Sequence, residues 1–243
     1  MALDRTDLDA LKVEHRQRLN LVADRLFKYF GEPTWHLKMP AVEELVCTIL
    51  SQNTNDINRD KAFQALKARY SDWQSVLQAE PAELQRVIAI AGLANQKGPA
   101  IQNALRMIFE ERGEFDLDWL LEKTSEEARE WLLGLKGVGP KTAAIVMVFS
   151  LGMPAFPVDT HIYRVSGRIG LRPQAFNVEK THAYFLEIGD PARFGTLHIN
   201  LIELGRQICH PRKPACPHCP VFDLCQYGEK TALVESGRHA LAN

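Results

Sequence analysis

Two residues in this chain have the type and spacing for covalent chemistry: Lys141, at the mouth of one apolar helix, and Asp159, eighteen residues on, at the mouth of the next. Lys141 follows Gly137-Val138-Gly139-Pro140. Glycine accepts positive φ at no steric cost, so such a turn can aim backbone N–H groups at one anion. Pro140 suits the first helical position, where its missing N–H costs nothing. From Lys141 the run TAAIVMVFSLG predicts a buried helix, and Gly152, Pro154 and Pro157 then break the chain. Asp159 reads as the N-cap of a helix starting near Thr160. Each feature alone is commonplace, since most GxG turns are only turns and most such lysines and aspartates are solvated or capping. Combined, they set a phosphate-sized nest, an amine at the positive end of a helix dipole and a carboxylate in one stretch, a set suited to nucleophilic catalysis.

A second chemistry is carried by Cys209, Cys216, Cys219 and Cys225, spaced C-x6-C-x2-C-x5-C. Disulfides suit this array poorly, because nothing marks the chain for export and its core is large enough without staples. Four thiolates can hold a tetrahedral zinc ion or a 4Fe–4S cluster. The uneven spacing differs from the paired CxxC units of zinc ribbons and leans toward iron–sulfur. Between the first two ligands lies HPRKPA, whose His210, Arg212 and Lys213 form a short cationic loop able to meet phosphates. The fifth cysteine, Cys47, stands among apolar helical residues and reads as a buried structural thiol.

These groups must be positioned by helices. Asp7 to Phe30 is amphipathic, with Leu8, Leu11, Leu19, Val22, Ala23, Leu26, Phe27 and Phe30 at three- and four-residue steps. Pro40 opens a second helix, AVEELVCTILSQ. The polar run Ser51–Asp56 follows, either a capped loop or a set of amides, Gln52 and Asn53 among them, able to enter a nucleic-acid duplex. Helices are then expected over INRDKAFQALKARY, WQSVLQ, PAELQRVIAI and QKGPAIQNALRMIFEE, near Asp116–Leu121, Ser125–Leu133, Val178–Ile188 and Arg193–Ile208. Period-two alternation is absent, which makes the fold all-α. Tyr163 and Arg164 read as packing, surface or phosphate-contacting residues, and 229–243 as a loosely ordered tail.

Composition narrows the partners. No apolar run reaches the ~18–20 residues of a membrane span, and the charged N-terminus lacks the apolar core of a secretion signal. The net charge is −1, yet Lys136 to Lys213 carries +5 and the remainder −6. A basic stretch on a near-neutral chain is the footprint of a nucleic-acid contact.

LKGVGPKTA, followed by VDTHIYRV and then the cysteine array, resembles the endonuclease III family of DNA glycosylases, in the helix–hairpin–helix superfamily with a Gly/Pro-rich loop and aspartate. The likeness runs from about Pro40 to Cys225. It implies two helical domains flanking a DNA cleft: a six-helix barrel over 34–153 carrying the helix–hairpin–helix, and a discontinuous cluster domain of 1–33 and 154–243. It further implies that Lys141 and Asp159 are the catalytic pair and that Cys209, Cys216, Cys219 and Cys225 hold a 4Fe–4S cluster. Gly137, Val138 and Gly139 match the phosphate-gripping hairpin. Gln52 and Asn53 match the inserting segment, with Asn53 where a glutamine commonly stands. Lys136 and Pro140 depart from the commoner proline and basic residue at their positions. His161 falls on the first turn after Asp159 as a structural or phosphate-facing residue, and Arg212 and Lys213 would face phosphates.

The implied activity is that of a bifunctional DNA glycosylase and AP lyase of base excision repair, removing damaged bases, oxidised pyrimidines above all. Its partner would be double-stranded DNA containing damaged bases or abasic sites, met by a monomer with no membrane attachment, cytoplasmic and nucleoid-associated in a prokaryotic source. The alternatives are a monofunctional mismatch, uracil or adenine glycosylase, and a non-catalytic iron–sulfur DNA-binding protein. Mismatch adenine glycosylases lack the lysine, and the presence of both Lys141 and Asp159 speaks against a binding-only protein.

Overall fold

A computed structural model describes residues 5–33 and 39–230. Eleven α-helices are found among the described residues, and no strand. The chain divides into two compact units, one formed by Met1–Trp35 with Phe156–Asn243, the other by His36–Ala155. The sequence boundary at Thr34 and residues 231–243 of the expected tail 229–243 fall outside the described residues. No described helix is long and apolar enough to cross a membrane.

The contiguous unit is built around α2 (Ala41–Ser51), whose eight buried residues include Val42, Leu45, Val46, Ile49 and Leu50. Each such side chain, fully buried, contributes roughly 1.5–3 kcal/mol, so a helix with so few solvent-facing positions sits at the centre of its core. Around it pack α3 (Asp56–Arg69), α6 (Ala94–Arg112) and α8 (Pro140–Ile145), with α4 (Trp73–Gln78), α5 (Pro81–Val87) and α7 (Ser125–Gly134) completing the layer. Helix starts follow the side-chain chemistry. Asn55 caps α3 by accepting from Asn58 N–H, Asp72 caps α4 from Ser75 N–H, and Thr124 with Glu127 forms a reciprocal capping box on α7.

The run after Lys141 is not a single α-helix: α8 ends at Ile145, and Val146–Ser150 continues as a π-helical turn. Leu151 N–H accordingly reaches back to the carbonyl of Val146. Such wide turns are rare and occur mostly as single turns near functional sites.

The second unit joins α1 (Arg5–Phe30) to α9 (Thr160–Ile169), α10 (Val178–Ile188) and α11 (Phe194–Gln207). Helix α11 packs on both α1 and α9. Leu19, Val22 and Leu26 of α1 are buried, as the periodicity predicts, whereas Phe27 is 47% exposed. The segment leading into α9 is gripped from behind: His182 Nδ1 lies 2.8 Å from the carbonyl oxygen of Phe156, and His198 Nδ1 lies 2.9 Å from that of Pro157. Since a carbonyl can only accept, each ring carries its proton on Nδ1.

Candidate active site and cysteine pocket

In the contiguous unit, α7 and α8 form a hairpin whose turn is Leu135–Gly139. Gly137 takes φ +90°, and a β-carbon there would lie 2.7 Å from that of Ala100 on α6, so both the backbone angle and the space require glycine. Val138 is buried, and its N–H donates to the carbonyl of Leu135 at 3.0 Å. That bond removes Val138 from the donors the sequence reading offered to an anion, leaving the neighbouring N–H groups and the first turn of α8. Gly139 is the N-cap of α8 and contributes no side-chain acceptor, so nothing of its own occupies that helix start. Lys141 stands partly exposed on this first turn.

The loop after α2 reaches the hairpin directly. Gln52 Nε2 donates to the carbonyl of Gly137 at 3.0 Å, tying the amide-rich segment to the glycine turn. Next to it, Asn53 is exposed and left-handed at φ 51°, a conformation asparagine tolerates better than most residues. Gln52 therefore positions the loop, and Asn53 forms its tip.

In the other unit, Asp159 is the N-cap of α9: one carboxylate oxygen accepts from Ile162 N–H at 2.7 Å, which fixes the side chain and leaves the second oxygen outside that bond. His161 follows on the first turn, with Nδ1 lying 3.2 Å from Arg164 and its β-carbon close over Gly205 of α11. Arg164 is not a surface residue. Its guanidinium donates to the carbonyls of Gly205 and Cys209 at 2.9 and 3.0 Å, joining α9 to the end of α11. Lys141 and Asp159 thus belong to different units, each at the start of a helix.

The far end of α9 meets the cysteines. Cys209, Cys216, Cys219 and Cys225 line one pocket, together with Arg168, Pro214 and Tyr227 among others. Arg168 donates to Cys209 Sγ at 3.4 Å and to the carbonyls of His210 and Pro211 at 2.6 and 2.9 Å, and its guanidinium lies over the ring of Tyr227. This holds the loop carrying Arg212 and Lys213, both exposed, Lys213 with φ 50°. Burial, with the charge of neighbouring thiolates, pushes Cys216 up and Cys219 to about 11; burial also raises Cys225. Four cysteines that line one pocket, three of them with the thiolate form disfavoured by burial, make a donor set whose charged form a positively charged metal group would stabilise. The roles of Arg164 and Arg168 were missed from sequence, where an arginine on a helix shows only its charge.

A helical chain with a glycine hairpin, a helix-start lysine, a capping aspartate and a four-cysteine pocket defines a class: helix–hairpin–helix proteins that work on nucleic acid. Residues 46–191 match the HhH-GPD superfamily base excision DNA repair protein family. Endonuclease III of Thermotoga maritima is 32% identical over 80% of this chain and 87% of its own length. A protein of Arabidopsis thaliana named as a DNA glycosylase is 37% identical over 63% of this chain, which spans only 53% of it. Among solved structures, a trapped endonuclease III–DNA covalent intermediate with estranged adenine superposes with a TM-score of 0.75 at 28% identity, covering 89% of this chain and 98% of that one. The chain belongs to the HhH-GPD superfamily and, within it, to the endonuclease III family of DNA glycosylases. It is an enzyme of base excision repair.

Proposed function

We propose that this glycosylase is bifunctional, excising damaged bases, oxidised pyrimidines above all, and cleaving the strand through a lysine Schiff base. The observation that carries the lyase half is Lys141, partly exposed on the first turn of α8 behind the hairpin. With the damaged nucleotide out of the stack, the Lys141 amine attacks C1′ and the C1′–N bond to the base breaks. The base leaves with the bonding pair and takes up a proton. Asp159 stabilises the positive charge that develops on the sugar and assists proton transfer; its N-cap bond to Ile162 holds the carboxylate still. The sugar ring opens to a Schiff base on Lys141. Loss of a C2′ proton then expels the 3′ phosphate, and hydrolysis of the imine frees the amine. Flipping costs a few kcal/mol, least for a damaged or unpaired base.

The hairpin donors and the Arg212–Lys213 loop hold phosphates, Asn53 enters the duplex, and the protein acts as a monomer on double-stranded DNA. Cys209, Cys216, Cys219 and Cys225 would hold a 4Fe–4S cluster, which when bound braces this loop and the end of α9. Supporting a cluster over a single zinc ion are the uneven 6-2-5 spacing of the four cysteines, which line one pocket, and the resemblance to the endonuclease III family. Brown colour in the purified protein distinguishes the two, since zinc is colourless.

Borohydride trapping on duplexes bearing an abasic site or an oxidised pyrimidine tests the mechanism. A covalent adduct on both, lost in Lys141→Ala, is the expected result. An adduct on the abasic duplex alone would retain the lyase and reassign the lesion; none on either would overturn the lysine mechanism.

A further inference from the structure

Lys97 is among the largest fully buried side chains, with 2% of its surface exposed. Lysine is almost never withdrawn this far unless a carboxylate pairs it. Its ammonium instead donates to two backbone carbonyls, of Leu50 and Ala91, both at 2.8 Å. Burial lowers its pKa, with no carboxylate among the described residues to counter the shift.

Both carbonyls belong to backbone that runs straight into a protruding tip. Leu50 lies in the last turn of α2, three residues before Asn53. Ala91 ends a short 3-10 turn, two residues before Leu93. Asn53 and Leu93 are exposed, and they are two of the three described non-glycine residues with positive φ, at 51° and 50°. Leu93 is the N-cap of α6, its carbonyl accepting from Gln96 and Lys97 N–H at 2.9 Å. Its side chain offers no hydrogen bond to offset that conformation, and the residue is 42% exposed, so packing does not repay it. Strain of this kind persists only where surrounding structure enforces it, and it gathers at functional sites. Ala100, one turn further along α6, is the residue against which Gly137 packs. The first turns of α6 therefore serve the loop, the Gly92-Leu93 turn and the hairpin together.

We propose that Lys97 is a positioning residue for nucleotide extrusion: its buried ammonium locks the Asn53 tip and the Leu93 tip at one spacing, against which the duplex opens. This rests on the glycosylase–lyase reading above, and the test separates the two. Lys97→Met keeps the side-chain length and removes the donors; Lys97→Gln keeps an amide donor. Each is compared with wild type in single-turnover excision of an oxidised pyrimidine, in borohydride trapping on a preformed abasic duplex, and in the fluorescence rise of a 2-aminopurine beside the lesion.

In Lys97→Met, excision slows by about tenfold or more and the fluorescence rise shrinks, while trapping on the abasic duplex falls less than about threefold, because a nucleotide without its base leaves the stack with little help. Lys97→Gln recovers part of the excision rate. Unchanged excision and fluorescence would overturn the proposal, as would equal losses in excision and trapping, which mark a merely structural role. Should Lys97→Met fail to fold, the excision-to-trapping ratio of Lys97→Gln decides, and a wild-type ratio there refutes it. If wild type traps on neither duplex, the lyase reading fails while the fluorescence comparison still judges Lys97.

Discussion

Replacing Gly137 with alanine perturbs the hairpin at its tightest point, and the cost can be worked out from two separate causes. At φ +90° an L-residue carries left-handed strain of about 1–2 kcal/mol. The new methyl would also stand 2.7 Å from the Ala100 β-carbon, so one of the two must give way, and overpacking costs about 1–3 kcal/mol more. The sum, about 2–5 kcal/mol, is a large share of the ~5–15 kcal/mol that holds a domain together. Ala100→Gly removes the facing methyl but costs about 1 kcal/mol of helix propensity in α6. The double variant should therefore recover the clash and keep the backbone strain, giving a coupling of about 1–3 kcal/mol in a double-mutant cycle. Urea unfolding followed by circular dichroism reads stability, and anisotropy of a labelled abasic duplex reads whether the hairpin has instead swung outward and lost its grip. In either case Ala100→Gly repairs part of the damage. Additivity in both measures, with a coupling under ~0.5 kcal/mol, would show that the approach of the hairpin to α6 does not constrain the turn.

The remaining expectations are simpler. Asp159→Asn keeps an N-cap acceptor, so unfolding midpoints stay near wild type while excision drops by roughly 10²–10⁴; Asp159→Ala loses the cap as well, at about 1 kcal/mol. An Asp159→Asn enzyme of near wild-type rate would remove Asp159 from the chemistry. His15 is buried with its Nδ1 2.7 Å from the Tyr184 hydroxyl, and burial lowers its pKa below the ordinary 6.5. Between the two values the unfolded chain binds the proton and the folded chain resists it, so this contribution to stability is present above pH 6.5 and fades as pH falls through and below it. Urea midpoints on either side of that value should show the loss, and His15→Gln should flatten it. Burial pushes the Cys47 thiol up to about 12, so iodoacetamide at mildly alkaline pH should leave it unmodified until the protein unfolds. Labelling in the native state, read by peptide mass, would contradict the packing of α2.

Periodicity and capping chemistry made most of the helices legible, because a 3.6-residue apolar stripe and a capping side chain are local properties. Asp159 caps the helix that its side chain suggests, and Asn55 caps the one that follows the polar loop, whereas the caps Asp72 and Thr124 came only with the structure. The π turn at Val146–Ser150 was hidden, since an unbroken apolar run looks the same in either winding. Phe27 was misplaced because a stripe sustained over 26 residues drifts around a long helix, leaving some apolar positions on the solvent side. At the site, residue types announced Lys141, Asp159 and the cysteines, whereas the supports did not show. Lys97, Arg164 and Arg168 all act on backbone carbonyls that are distant in sequence, and a carbonyl has no letter in the sequence.

The split make-up of the α1 unit carries a consequence for how the protein is made. Helix α1 leaves the ribosome before every other described element, but the helices that pack on it, α10 and α11, begin at Val178 and Phe194, the first about 150 residues after Leu26. At ~5–20 residues per second that delay lasts roughly 8–30 s, during which an apolar helix face waits in water. The contiguous unit, His36–Ala155, is complete by then and can fold as it emerges. Biosynthesis thus runs from the middle outward: the hairpin and Lys141 are assembled first, and Asp159 and the cysteine pocket gain a finished framework only when α11 returns to close over α1.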